Sequence, residues 1–280
     1  MTTINLPHLR RWAGKPKIDR DTLNVRHARL MAATLGLEQE ALVEGSPLPP
    51  LWHWLYFLEG LPPDELGRDG HPARGGFLPP VPLENRMWAG GRVSFAAPLP
   101  LGAAVEKRST VSSVEHKSGQ SGDLIFVTVL HEVFHNDALA VSEEQDIVYR
   151  NASKEHSARA QQASETASIT KPFAPNSTML FRYSALTFNG HRIHYDADYC
   201  RNVEGYDNLV IHGPLSATML AGFAEDVAGK RLLSFSYRGV RPALLGTMLT
   251  LNAIVDKERI ALWTSFPDGS VSMKAEAAIG

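Results

Sequence analysis

The sequence holds a single cysteine, Cys200, in 280 residues, which excludes an internal disulfide and a cage of thiolates around a metal. No apolar run approaches the ~20 residues that a membrane-spanning helix needs. The opening MTTINLPHLRRWAGKPKIDRD has no apolar core of the secretory-signal kind. Neither sign of charge is in excess: 28 Lys and Arg stand against 30 Asp and Glu, a formal charge of -2. The basic residues are scattered, which removes the electrostatic case for nucleic acid, whose binders concentrate them in a patch. Gly75, Gly76, Gly90 and Gly91 make no dinucleotide fingerprint behind a strand. Ser216 lacks the strained elbow of a serine hydrolase. What is present is an ordinary globular composition, 44 % apolar and 21 % charged. The length suits two domains of about 100–150 residues each. A cytoplasmic chain with a reduced thiol is the expectation.

Apolar residues recur at helical spacing over 19–37, with Asp21 or Thr22 as a cap and Gly36 as a stop. Pro47, Pro49 and Pro50 precede LWHWLYFLEG, which reads as a short apolar helix whose Trp52, Trp54, Tyr56 and Phe57 serve the core. Residues 61–83, crowded with Pro and Gly, read as a long ordered loop or lid. From 86 to 148 the pattern is of strands separated by turns at Ser118-Gly119 and Asn136-Asp137. Residues 151–175 read as an exposed linker, partly helical over 156–162. A helix over 212–229 is followed by strands over 232–241, 247–256, 259–266 and 270–278, with a hairpin turn at Phe266 to Gly269. RVSFAAPLPLGAAVEKRSTVSSVE matches SFSYRGVRPALLGTMLTLNAIVDKE in its order of strand, Pro, Leu-Gly and strand, at a shift of about 142 to 144 residues by inspection. A helix followed by a meander implies a sheet curled around that helix, and Ala217, Ala221, Gly222 and Ala224 let strands approach it closely. The expected fold is α+β, a double hot dog: a degenerate N-terminal unit over 1–150, a linker over 151–175, and a catalytic unit over 176–280.

Residues 182–220 concentrate the chemistry. An apolar lead over 183–188, read as a strand, delivers Asn189, Gly190, His191, Arg192, Ile193 and His194. A second short strand over 209–211 ends in His212, Gly213 and Pro214. So many polar groups at the ends of apolar elements suggest a site. A neutral imidazole can hold a water and accept its proton near pH 7, whereas an amide such as Asn189 orients but has no useful basicity. Pro214 suits a first helical turn, and the Gly213 N–H ahead of it can hold an oxyanion. His191 and His194 with Asp196 have a spacing that metal ligands can have, but Arg192 lies between them and we expect no metal. Arg238 and Arg241, near a strand end after the helix, are either solvated or placed for an anionic substrate group.

At these residues the chain resembles the MaoC-like, R-specific enoyl-CoA hydratase superfamily, whose motif runs T-G-D-x-N-P-x-H. Thr187 and His194 match; Phe188 stands for the Gly, Asn189 for the catalytic Asp, and His191 and Arg192 for the Asn and Pro. The later His-Gly matches at His212 and Gly213. The variant TFNGHRIHYD resembles the branch that contains 3-hydroxyacyl-thioester dehydratase type 2 and the mesaconyl-C4-CoA and itaconyl-CoA hydratases. The resemblance implies a hydro-lyase acting on an acyl-CoA without a cofactor, as a homodimer. It implies His194 as the principal acid/base group, Asn189 orienting water or the thioester carbonyl, and Gly213 N–H as the oxyanion donor. Arg192 or His191 is expected to meet a distal substrate carboxylate, with His212, Arg238 and Arg241 completing the binding surface. The expected substrate is a C5 dicarboxylyl-CoA, and three alternatives stay open: a 3-hydroxyacyl-thioester dehydratase of fatty acid metabolism, a hot-dog thioesterase using Asp196 or Asp198, and a non-catalytic acyl-CoA-binding protein.

Overall fold

A computed structural model describes residues 4–119, 122–151 and 160–280. Ten strands form one continuous antiparallel sheet. In chain order they are β1 (Pro16–Thr22), β2 (Asn85–Phe95), β3 (Ala104–Gly119), β4 (Gly122–His135) and β5 (Ala138–Arg150), then β6 (Ile169–Phe173), β7 (Leu232–Gly239), β8 (Leu249–Asp256), β9 (Arg259–Ser265) and β10 (Val271–Ile279). The spatial order β1-β3-β4-β5-β2-β7-β10-β9-β8-β6 reads the same from either end once the halves are matched. β2 pairs with β7 at the centre, with Gly90 opposite Arg238 and Val93 opposite Phe235. This is the double hot dog, and the expected duplication is visible as its pseudo-twofold order.

Local chemistry explains the elements. Five helical segments are named: α1 (Leu6–Leu9), α2 (Val25–Leu35), α3 (Ser177–Leu186), α4 (Ala197–Tyr199) and α5 (Gly213–Ala228). Asn24 caps α2 by accepting from the Arg26 and His27 N–H groups, and Gly36 ends it at φ 70. Its buried residues Ala28, Met31, Ala32 and Leu35 form one stripe. Asn136 and Asp137 both take positive φ, 49 and 60, as a two-residue hairpin requires between right-twisted strands. α5 packs on β7 to β10, burying Leu215, Ala217, Leu220, Ala221 and Ala224.

Several expectations are corrected. The stretch from Asp19 to Thr22 belongs to β1, and the helix begins only after Asn24. LWHWLYFLEG keeps a single 3-10 turn, Trp52–Leu55, flanked by Leu51 and Phe57 at positive φ. The apolar lead to Asn189 is α3, capped by Asn176 accepting from Met179 N at 2.9 Å, not a strand. Residues 209–211 contribute only an isolated bridge from Val210 to Leu244. β6, inside the expected linker, pairs with β8 as an edge strand. The helical stretch expected over 156–162 lies mostly outside the described residues. Among the described residues, no helix is long and apolar enough to cross a membrane.

Candidate active site

α3 ends at Leu186, and the chain turns sharply through Phe188, exposed and at φ 48. A glycine would reach this left-handed conformation without strain, so Phe188 holds a turn that disfavours its side chain. The turn throws residues 189–194 back into a cleft. Asn189 Oδ1 accepts from the His191 N–H at 3.0 Å, closing an Asx turn. A 3-10 turn, Arg192–His194, then buries His194.

His194 Nδ1 donates to the Val210 carbonyl at 2.7 Å, which fixes the tautomer and leaves Nε2 as the bare, accepting nitrogen. Its ring stacks on His212, centroids 3.6 Å apart and 19° from parallel. His212 is fully buried, with Nε2 on the Ser184 hydroxyl at 2.8 Å. Among the described residues its Nδ1 has no hydrogen-bond partner. It caps α5, so the stacking brings His194 beside Gly213, the first residue of that helix. The first N–H groups of a helix have no intrahelical acceptor. Gly213 is required there, since a Cβ would stand 2.7 Å from Trp88 Cε3.

The opposite wall comes from the N-terminal unit. The loop at Gly67 to His71 is stitched to the 189–195 segment: Arg192 N donates to the Asp69 carbonyl at 2.9 Å, and Gly70 and Gly190 lie backbone to backbone. A Cβ on Gly190 would stand 2.7 Å from the Gly70 carbonyl oxygen. Asp69 Oδ1 accepts from His71 N at 3.1 Å, and Oδ2 faces His71 Nδ1 at 3.3 Å. Arg86 Nη2 lies 3.8 Å from the same Oδ2. The His71 ring is 4.3 Å from that of His191, which is 5.5 Å from His194 and edge-on to it. The cleft holds about 2050 Å³, more than the ~300–1,000 Å³ of a site for a drug-sized ligand. It continues past Trp88 to Glu143, which accepts from His53 Nε2 at 2.8 Å, Trp54 Nε1 at 2.9 Å and Tyr237 OH at 3.3 Å.

Charge follows burial. Burial drives His194 down to about 3 despite its bond to Val210, and drives His191 to about 3 with help from the charge of His71. Burial also lowers His71, while Asp69 opposes the change. The Asp69 carboxyl is pushed up by burial, but His71 and Arg86 outweigh that and hold it below the usual range. Above pH ~6.5, the ordinary histidine value, neither the folded nor the unfolded chain protonates these rings. Below it the unfolded chain binds protons first, so stability falls as pH drops from ~6.5 toward about 3. The urea midpoint is expected to fall between pH 6.5 and 4.5, and more shallowly in His194→Asn. A flat midpoint across that window would mean that the rings are solvated in the folded chain.

Some expected site residues lie elsewhere. Arg192 turns away from the cleft: its Nε and Nη2 reach Asp196 Oδ2 at 3.1 and 2.7 Å, and its guanidinium covers Tyr199 at 4.2 Å. Arg238 is exposed on β7, outside the cleft lining. Arg241 does line the cleft, lying over Phe266 at 4.6 Å with Nη1 3.4 Å from Ser270 Oγ. His212 supports His194 from beneath and is absent from the cleft wall. Asp69, His71, Arg86 and Trp88 are wall residues that sequence reasoning missed. Asp69, His71 and His191 have ligand atoms within 4.8 Å of one another, but Arg86 already takes the cationic place beside that carboxylate.

In this double hot dog one cleft is lined by both His194, with its bare imidazole nitrogen, and Gly213, at the head of α5. The family model for hydroxyacyl-thioester dehydratase type 2 matches residues 51–245. The chain is 40 % identical over 271 residues to mesaconyl-C(4)-CoA hydratase of Chloroflexus aurantiacus, covering 96 % of this chain and 97 % of that one. Among solved structures, a MaoC-like dehydratase from Phytophthora capsici superposes with a TM-score of 0.77 at 14 % identity, covering 99 % of this chain and 98 % of the other. A double-hotdog protein of Mycobacterium tuberculosis does so at 0.58 and 11 % identity, over 95 % and 96 %. The chain belongs to the hydroxyacyl-thioester dehydratase type 2 family, and is a hydro-lyase.

Proposed function

We propose that this enzyme adds water reversibly across the α,β double bond of an acyl-CoA thioester whose acyl group is a short dicarboxylate. Mesaconyl-C4-CoA, whose double bond is conjugated with its thioester, would be converted to citramalyl-CoA. Itaconyl-CoA carries its double bond one carbon further out and would give the same product only by taking the proton at its methylene carbon. The observation that carries the reaction is the pairing of His194 with Gly213 in one cleft. The Gly213 N–H polarises the thioester carbonyl and holds the enolate oxygen. His194 Nε2 holds the water that attacks Cβ, and Asn189 braces the His191 turn beside it. In this reading the unit over 176–280 handles the thioester, and the unit over 1–150 holds the acyl group.

The dicarboxylyl preference is supported by the end-to-end identity to mesaconyl-C(4)-CoA hydratase. It is supported also by the polar acyl wall of Asp69, His71, Arg86 and His191, which is costly to desolvate against a plain alkyl chain. The test is kcat/KM for mesaconyl-C4-CoA and crotonyl-CoA, followed by loss of the enoyl absorbance, and for itaconyl-CoA, whose double bond is not conjugated with the thioester, followed by separation of the product. At least one dicarboxylyl ester should be favoured by roughly tenfold or more, the worth of one charged hydrogen bond. Because Arg192 is engaged with Asp196, Arg192→Met should leave that ratio within about twofold. Equal efficiency on crotonyl-CoA would sink the dicarboxylyl reading, and thiol release with the enoyl absorbance intact would select a thioesterase.

A further inference from the structure

We propose that His71, on the loop of the N-terminal unit, is the group that takes the proton from water and returns it to Cα, with Asp69 as its positioning residue. This rests on the hydratase reading above. It concerns a different question, namely where the proton goes once position 189 carries an amide.

The position that would hold an acid cannot act as one. Asn189 has no useful basicity, and its Oδ1 is taken by the His191 N–H at 3.0 Å. His194 has a bare Nε2 but a poor environment for a cation. Its Nδ1 is tied to a neutral carbonyl, its face lies 3.6 Å from His212, and its other ring neighbour is His191. An imidazolium there would be buried without a counter-anion, an arrangement that is strongly disfavoured. His194 is built to orient a water rather than to keep its proton.

His71 shares the burial and the His191 neighbour but has an anion beside it. Asp69 Oδ2 stands 3.3 Å from its Nδ1, and Oδ1 accepts from its backbone N–H. A proton on Nδ1 directed at that carboxylate leaves Nε2 as the exchanging nitrogen. A positive charge formed on the ring then lies against an anion. Arg86, at 3.8 Å from the carboxylate, keeps Asp69 ionised. The ring lines the same cleft as His191 and His194 and is 4.3 Å from His191. The close approach of Gly70 to Gly190 and the Arg192 N to Asp69 carbonyl bond hold this loop against the site.

The proton balance closes without a further reactant. Water held at His194 Nε2 gives a proton to His71 Nε2 as its oxygen bonds to Cβ. The π electrons move through Cα to the thioester oxygen at the Gly213 N–H. The His71 imidazolium then returns the proton to Cα as the enolate collapses to the thioester. One O–H bond of water is broken, C–O and C–H bonds form, and His71 is again neutral.

The experiment measures kcat and KM with mesaconyl-C4-CoA for His71→Gln, Asp69→Asn and Asp69→Glu, with each fold checked by circular dichroism and thermal melting. We expect His71→Gln to lower kcat by about 10²–10⁴-fold with KM within about threefold. Asp69→Asn should lower kcat in the same sense, and Asp69→Glu should recover part of it, because a role through charge is restored by a carboxylate. A folded His71→Gln that keeps kcat within about threefold overturns the proposal, as does one whose loss lies wholly in KM. If His71→Gln fails to fold, Asp69→Asn decides alone: unchanged kcat overturns the assignment and a selective kcat loss supports it. A wild-type enzyme inert toward every unsaturated ester in the panel would remove the hydratase reading itself. A working wild type with an unaffected His71→Gln removes only this inference.

Discussion

His194→Asn should lower kcat for hydration by about 10²–10⁴-fold, the usual contribution of a positioned acid/base or water-holding imidazole, with KM changed far less. Asparagine is the informative replacement because its amide can still donate toward the Val210 carbonyl. The bond at 2.7 Å that fixes the ring then has a substitute, while the accepting Nε2 is lost. His194 is only 6 % exposed and stacked on His212. Truncation to Ala would open a buried gap and confuse unfolding with lost chemistry. A folded His194→Asn enzyme retaining more than about a tenth of wild-type kcat would remove His194 from the reaction.

The other large effect is on stability, far from the reacting bond. Glu143→Ala is expected to cost about 3–5 kcal/mol, the range for breaking a buried charge pair by removing one partner. The residue is 2 % exposed and takes donors from His53, Trp54 and Tyr237. Burial pushes its carboxyl up, but the His53 hydrogen bond and charge prevail and hold it at about 2. Alanine would leave those three donors buried without their acceptor. It would also free Tyr237, on which Trp88 is stacked at 4.6 Å, and Trp88 is the ring that packs on Gly213. The loss is read from the urea midpoint at pH 7. A shift below ~1 kcal/mol would mean that water replaces the carboxylate freely.

What the sequence disclosed was mostly local. The four C-terminal strands and the hairpin at Phe266 to Gly269 were legible because alternation and turn chemistry act over a few residues. α5 was legible from Pro214 at its start and Gly229 at its end. The same locality exposed His194, His212 and Gly213, all within twenty residues. α3 was misread because the lead over 183–188, YSALTF, is too short for periodicity to separate helix from strand; the signal was the Asn176 cap. Arg192 was misread because an Asp four positions on, a spacing that favours ion pairing, neutralises it. The His71 to His191 contact spans some hundred and twenty residues, and nothing local announces it. Asp69-Gly70-His71, a polar trio in the middle of a Pro- and Gly-rich loop, was the available hint.

The β2 to β7 junction makes the two units one sheet in one chain, so the two ends of its pseudo-twofold axis are free to diverge. In a dimer of identical units every substitution appears twice, once on each side of the axis, and a change that improves one wall alters its twin as well. Here the N-terminal unit offers a 3-10 turn at Trp52–Leu55, and α5 of the other unit runs for 16 residues. Variation among natural or engineered homologues can therefore be partitioned by address. Changes before residue 150 other than at His71 and Asp69 should retune which acyl group is accepted, whereas changes at those two positions and around the head of α5 should decide whether the enzyme turns over at all.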